Sequence, residues 1–358
     1  MASEGQESGV SRPDADVTTA RPESEAGLKL RNIEVTNYKA IDQLTLEIPA
    51  PTMPGDPDVF VVGSKNGVGK TSLLECCVIA HLNLCDQSRL GSVFRHIRDT
   101  SDDVIELSRD PGAPFTIEAR YDRGRSSSLE WASHFFSPDP IRRLLDSHFV
   151  LRGDEATFTQ QFFGRSSNVL LHPDVLFFHS YRKIVEGSIR TQEMLTREQP
   201  RGSSAVKLKA IRLLMAGSGL VEGDPEDDAE RRLEHLNRLL STFVGGRIDR
   251  RLRPVAKDQL DIRIATSRGT TFSFDGLSSG QKEIVSTLFL IWNETLTKPA
   301  LVLIDEPELH LNADWQRELI YQLHASMPQN QYILATHSEE IFASVSPARR
   351  VMLLGSEG

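Results

Sequence analysis

The stretch Val59-Phe60-Val61-Val62-Gly63-Ser64-Lys65-Asn66-Gly67-Val68-Gly69-Lys70-Thr71-Ser72 decides the fold. Its four leading apolar residues read as a central strand buried on both faces, running straight into a Gly-rich turn. From residue 71 to about 85 a helix follows, with Leu73, Leu74, Cys77, Val78 and Ala80 as its apolar positions. Strand, Gly-rich turn and helix in that order form a phosphate cradle: backbone N–H groups wrap a β-phosphate and the helix N-terminus adds partial positive charge. The spacing lets Lys70 reach β/γ oxygens and the Thr71 hydroxyl hold Mg²⁺. Ser64, Lys65, Asn66, Gly67, Val68, Gly69, Lys70, Thr71 and Ser72 are therefore the nucleotide-binding candidates. Ser64 stands where the pattern has its first Gly, and Gly63 lies one position early.

Further along, Leu301-Val302-Leu303-Ile304-Asp305-Glu306 reads as a second buried strand, ending in two acids. Both carboxylates then emerge at the C-terminal edge of the sheet, where open α/β sheets bind ligands. Asp305 suits the Mg²⁺ shell, and Glu306 suits a base that orients or deprotonates the attacking water. Together with the phosphate cradle these acids predict a nucleotide-hydrolysing site.

The rest of the chain fits an α/β body. Leu30, Ile33 and Val35, then Leu44, Leu46 and Ile48, alternate as two half-buried strands; residues 115–121 and 129–131 read as a hairpin around Asp122-Arg123-Gly124. Strands are expected at 175–178, 300–304 and 332–335, and a second hairpin from Leu260, Ile262 and Ile264 to Phe272 and Phe274. Helices are expected at about 204–216, 226–244, 279–294 and 313–326. Strands alternating with helices predict a parallel sheet covered on both faces.

With 358 residues, 24 Gly, 18 Pro and 3 Cys, the composition excludes collagen-like, low-complexity and disulfide-scaffold classes. The formal charge is −9, but residues 1–27 carry six acids and two arginines and read as a disordered tail. A second cluster, Glu222 to Glu230, holds six acids and no base. The expectation is a soluble, cytoplasmic protein with no membrane segment, since no apolar run reaches membrane-spanning length. Cys76, Cys77 and Cys85 lack metal-site spacing and read as small core residues. Two basic stretches stand out, Arg182 to Arg212 and Arg247 to Lys257, and both suit phosphate contacts with DNA or docking of an acidic partner.

Leu277-Ser278-Ser279-Gly280-Gln281 resembles the LSGGQ signature of the ABC-type ATPases, with Ser in place of the first Gly. The resemblance implies that Ser278, Ser279, Gly280 and Gln281 of one subunit close on the γ-phosphate held by another, with Ser278 donating its hydroxyl. Within that family the sequence resembles the branch shared with RecF, SMC and OLD-type proteins, and especially the AAA-15/AAA-21 type. Leu30 to Ala40, the phosphate loop, Ile304 to Leu311 and Leu334 to Ser338 carry it. His337 matches the switch histidine that reads the γ-phosphate. The Q-loop, which couples the Mg²⁺ site to the helical lobe, has no Gln in the expected place: His179 to Arg182 rank first, with Gln160 and Gln161 as the competing choice. Tyr38 or Lys39 is a candidate to approach the adenine, and core packing explains Tyr38 almost as well.

The resemblance implies a P-loop NTPase head of ABC type: a mixed or parallel central sheet, an antiparallel β subdomain and a helical insert at about 183–257, all within one domain from residue 28 to 358. It implies ATP and Mg²⁺ as cofactors, Glu306, His337 and Lys70 as catalytic residues, and Thr71 and Asp305 as metal ligands. It further implies a homodimer or higher homo-oligomer that senses or clamps DNA or a partner and controls a separate effector, in antiphage defence or DNA metabolism. A slowly hydrolysing scaffold that holds an effector inactive is the alternative, and a transporter subunit a minor one. The short insert leaves no long coiled coil, and the roughly 20 residues after His337 leave no room for a Toprim domain.

Overall fold

The computed structural model describes residues 27–53, 55–64, 68–85, 104–106, 109–110, 113–131, 150–152, 169–180, 182, 186–190, 205–218 and 226–353. The predicted tail (apart from Gly27), Lys65, Asn66, Gly67, Gln160, Gln161 and Tyr181 lie outside these residues. Gly27, counted with the tail in the sequence, is buried with its Cα facing the Pro299 carbonyl so closely that a Cβ would sit 2.4 Å from that oxygen.

The chain begins with β1 (Leu30–Tyr38) and β2 (Ile41–Glu47), then β3 (Asp58–Ser64) leads into α1 (Lys70–Cys85). After β4 (Val104–Glu106) come β5 (Phe115–Tyr121) and β6 (Ser126–Trp131), then β7 (Val150–Arg152), β8 (Val169–Leu171), β9 (Val175–Phe178) and β10 (Ile189–Arg190). The helical lobe holds α2 (Ala205–Ala216) and α3 (Glu226–Val244). Short strands follow: β11 (Gly246–Ile248), β12 (Arg253–Ala256), β13 (Gln259–Asp261), β14 (Arg263–Thr266) and β15 (Thr271–Ser273). The chain then runs through α4 (Ser279–Glu294), β16 (Leu301–Asp305), α5 (Ala313–Ser326), β17 (Gln331–Thr336), α6 (Glu339–Ala343) and β18 (Arg350–Leu353).

The central sheet has the order β18-β3-β17-β16-β9-β8, parallel except for β8 at one edge. Successive side chains of a strand point to opposite faces, and here each face has its own core. Val59, Val61, Leu176, Phe178, Val302, Ile304 and Leu334 face the helices α2 to α5. Phe60, Val62, Phe177, Leu301, Leu303, Ile333 and Ala335 face α1 and the antiparallel sheet β2-β1-β5-β6. That double burial is why these strands read as unbroken apolar runs. The molecule thus has an α/β fold with a mixed central sheet and an antiparallel β layer. Helix α1 is buried almost all round between the two sheets, and its single buried acid, Glu75, is paired with Lys39 at 2.8 Å.

Two expectations need correction. The alternation through Leu260, Ile262 and Ile264 is not one strand: β13 pairs with β10 and β12, whereas β14 pairs with β11 and β15 in a separate sheet. Ile262 and Ile264 are fully buried, so burial continues across the break while the backbone pairing changes sheet. Helix α3 starts at Glu226, where the sequence places it, so the second half of the acidic cluster falls in its first turns. Acids suit that first turn, where the helix dipole is positive. Cys85, expected in the core with Cys76 and Cys77, is exposed at the end of α1.

Candidate active site

Parallel pairing brings the C-terminal ends of β3, β17, β16 and β9 side by side, because each is in register with its neighbour: Val62 with Ala335, Ala335 with Asp305, Ile304 with Phe178. Residues at and after those ends are therefore neighbours in space: Ser64 and Lys70, His337, Asp305 and Glu306, and His179, Ser180 and Arg182.

Gly69 sits at φ +91°, and a Cβ there would meet the Ile41 side chain at 2.9 Å, so the turn before α1 needs glycine for both reasons. Lys70 and Thr71 open α1 immediately afterwards, while Ser72 is buried against the core. The Lys70 ammonium is 3.0 Å from Ser64 Oγ and 2.7 Å from His337 Nε2. Burial lowers its pKa from the ordinary lysine value, and Asp305, Glu306 and Glu308 oppose that shift. Thr71 donates from Oγ1 to Asp305 Oδ2 at 2.7 Å. Asp305 is 1% exposed, and burial raises its pKa. Its second oxygen, Oδ1, is buried with no hydrogen-bond partner.

That orphaned oxygen tests whether a divalent cation fits here. A buried carboxylate oxygen without a partner is costly, whereas beside a threonine hydroxyl it forms a hard oxygen pair of the kind Mg²⁺ takes. The donor set fits the ion.

Glu306 adopts φ +47°, a left-handed conformation that costs a non-glycine residue about 1 kcal/mol or more. Its N–H donates to Ala335 O at 2.8 Å, and the Leu309 N–H donates to its carbonyl at 3.1 Å. The carboxylate is partly exposed, 3.8 Å from His337 Nε2. Burial first, then Asp305 and Glu308, raise its pKa above the ordinary glutamate value. A carboxylate pushed upward in this way is a stronger proton acceptor.

Sequence reasoning missed the role of Glu308. Its two oxygens accept from Thr336 Oγ1 at 2.7 Å and from the His337 backbone N–H at 2.6 Å, which fixes the end of β17. The signal was present in Glu306-Pro307-Glu308, but the second acid reads from sequence as an ordinary surface residue.

The signature candidates sit together at the start of α4, against α3. Ser278 caps α4 and shares a capping box with Gln281, whose amide donates to Phe243 O on α3. Ser279 is exposed. Gly280 is needed for a contact inside the chain: a Cβ there would lie 2.4 Å from His310 O. The adenine expectation for Tyr38 gives way to the core reading, since Tyr38 is fully buried, edge-on to Phe115 and hydrogen-bonded to Glu75.

Within the stretch Arg182 to Arg212 three cations are taken up inside the fold, while Lys183, Arg197 and Arg201 lie outside the described residues. Arg182 is buried against Glu283, Lys207 is fully buried between Asp261 and Asp275, and Lys209 pairs with Glu294 at 2.6 Å. In the second stretch Arg247 and Arg250 are exposed beside Glu234 and Glu230, and Arg251, Arg253 and Lys257 are exposed.

The profile of the AAA_21 family, "AAA domain, putative AbiEii toxin, Type IV TA system", matches residues 60–343. The chain belongs to that family. The match runs from the strand before the phosphate loop to the helix after His337. Among characterised proteins, the chain is similar to the Retron Vc95 probable ATPase of Vibrio cholerae serotype O1 biovar El Tor, 33% identical over 88 residues, which is 22% of this chain and 17% of that protein. It is also similar to the Septu protein PtuA of Bacillus thuringiensis, 34% identical over 113 residues, 28% of each. The matched stretches thus span less than a third of these relatives. Among solved structures, an SMC head bound to the C-winged helix domain of ScpA aligns over 88% of this chain and 92% of that one, at 12% identity and a TM-score of 0.41. The SMC head domain of Thermotoga maritima aligns over 89% and 92%, at 14% identity and a TM-score of 0.39. Among the described residues no helix is long and apolar enough to cross a membrane.

Proposed function

We propose that the protein binds and hydrolyses ATP with Mg²⁺, and that ATP closes two copies into a dimer that switches a separate effector. The observation that carries this reading is the convergence of Lys70, Thr71, Asp305, Glu306 and His337 within hydrogen-bond or near-contact distance of one another. Thr71 and the orphaned Asp305 oxygen would hold Mg²⁺, which supplies charge neutralisation at the phosphates. Lys70, at the N-terminus of α1, binds β/γ oxygens in the company of the backbone N–H groups. Glu306 orients the attacking water and takes its proton, favoured by its raised pKa. His337, held by Glu308, lies between Lys70 and Glu306 and supports sensing of the γ-phosphate.

The signature residues are anchored to α3 and to the loop at His310, which supports their presentation to the ATP of a second copy. The relatives named for a retron and for Septu, and the toxin–antitoxin description of the family, support a role in antiphage defence with an effector on another chain. The exposed Arg247 to Lys257 region supports DNA as the sensed ligand.

The test is the mass of Glu306→Gln by light scattering. The variant is expected to double in mass with Mg²⁺ and ATP, and to stay monomeric with ADP; an unchanged mass contradicts the dimer switch. Phosphate release by the parent with and without duplex DNA separates this reading from the scaffold. DNA-stimulated turnover supports the switch, and negligible turnover at good ATP affinity supports the scaffold.

A further inference from the structure

Arg182 connects parts of the molecule that the proposed mechanism leaves unconnected. Its side chain is 5% exposed, and its guanidinium reaches four acceptors. Nη1 donates to His179 O at 3.1 Å and to Asp305 O at 2.5 Å, Nη2 donates to Glu306 O at 3.0 Å, and Nε donates to the Glu283 carboxylate. Two of these acceptors are the carbonyls of the acid pair itself. The Glu306 carbonyl belongs to the residue with φ +47°, so the bond falls on the strained peptide that aims the Glu306 carboxylate. The fourth acceptor, Glu283, lies in the second turn of α4, whose cap is Ser278.

The chain after Arg182 is tied to the same helix entrance. Glu186 pairs with Lys282, and the Gly187 N–H donates to Asp275 Oδ2 at 2.9 Å, in the turn just before Leu277. Lys207, fully buried, bridges Gly187 O at 2.6 Å and Asp275 at 3.0 Å. The segment that leaves the acid pair is thus bonded on both sides of Ser278.

We propose that Arg182 is a positioning residue for hydrolysis: it holds the left-handed turn at Glu306 and, through Glu283, makes that turn and the start of α4 move as one unit. The proposal rests on the reading of Glu306 as the base. An ammonium cannot replace the planar fork, because three carbonyls and a carboxylate lie around it in directions that one compact charge does not satisfy together. The link departs from the expected Q-loop, since Arg182 meets the backbone of the acids instead of presenting an amide to the metal.

The test uses the full chain and three variants: Arg182→Met, Glu283→Gln, and the double variant Arg182→Met with Glu283→Met. Steady-state phosphate release gives kcat and KM for ATP, and thermal unfolding is followed on the same samples. Arg182→Met is expected to lower kcat about 10-fold or more with KM changed less than about threefold, and Glu283→Gln to lower kcat in the same direction. The double variant removes both buried charges and puts two apolar side chains in their place, so its melting temperature is expected to recover towards that of the parent. Its kcat is expected to stay low, because the carbonyl bonds are still missing. If Arg182→Met fails to fold, the double variant alone decides. Recovery of kcat together with stability overturns the proposal, since it leaves Arg182 a purely structural role. A parent that releases no phosphate overturns the hydrolysis reading and the proposal with it, and is recognised before any variant is compared.

Discussion

Glu306 and Glu308 divide their work by geometry: the first carboxylate is partly exposed beside His337, while the second is bonded to the backbone and side chain that end β17. Glu308→Gln is expected to weaken the His337 position without removing a metal or phosphate ligand. The prediction is a fall in kcat of about 10-fold with ATP affinity kept, measured by phosphate release and equilibrium nucleotide binding; lost affinity with native turnover per bound ATP contradicts it. A second prediction concerns His81, which is 1% exposed, edge-on to Tyr121, with a pKa pulled down to about 4 by burial. A histidine neutral in the fold and protonated in the unfolded chain contributes stability above its unfolded pKa of about 6.5, and that contribution is lost as pH falls towards 4. The size is about 3 kcal/mol at most. The stability of the parent relative to His81→Gln is therefore expected to shrink in denaturant titrations between pH 7.5 and 4.5. A constant difference contradicts it. The phosphate loop, the two acids and His337 were legible as residues because each follows a recognisable strand. The partners of Arg182 and Glu308 were not, because the Asp305 and Glu306 carbonyls, Glu283, Thr336 and the His337 N–H come near only through the pairing of β9, β16 and β17 and the packing of α4.

At the scale of elements, the runs at β3, β16 and β17 announced a sheet buried on both faces, and the structure assigns alternate residues of each to two separate cores. Short edge pieces were hidden from sequence: β10, β11 and β12 span two to four residues, too short for any period to show. The split between β13 and β14 was hidden for a different reason, since burial persists across a change of hydrogen-bond partner. The start of α4 carries an element-scale prediction. Gly280 packs against His310 O, so Gly280→Ala must displace the loop after Glu306 or the helix itself. It is expected to lower stability by about 1–3 kcal/mol in chemical unfolding, with turnover reduced as well. Native stability would show that the two elements are not packed as described.

Over the whole molecule, four neighbouring strand ends gather the candidate residues at one edge of the central sheet, while the signature candidates sit at the start of α4, joined to that edge through Arg182 and Glu283. The formal charge of −9 conceals this organisation, because Asp261 and Asp275 hold the buried Lys207, while Glu294 and Glu230 pair with Lys209 and Arg250. The exposed cations left on β12 and around it predict that charge reversal of Arg251, Arg253 and Lys257 weakens duplex DNA binding and flattens its salt dependence. Unchanged affinity and slope would remove that surface from the account. Hydrolysis of ATP at the edge carrying Lys70, Asp305 and Glu306 is decided by Mg²⁺-dependent phosphate release, measured on the parent beside Glu306→Gln. Turnover is expected in the parent, with a loss of at least about 100-fold in the variant and ATP binding retained in both. Equal turnover in the two proteins would contradict it.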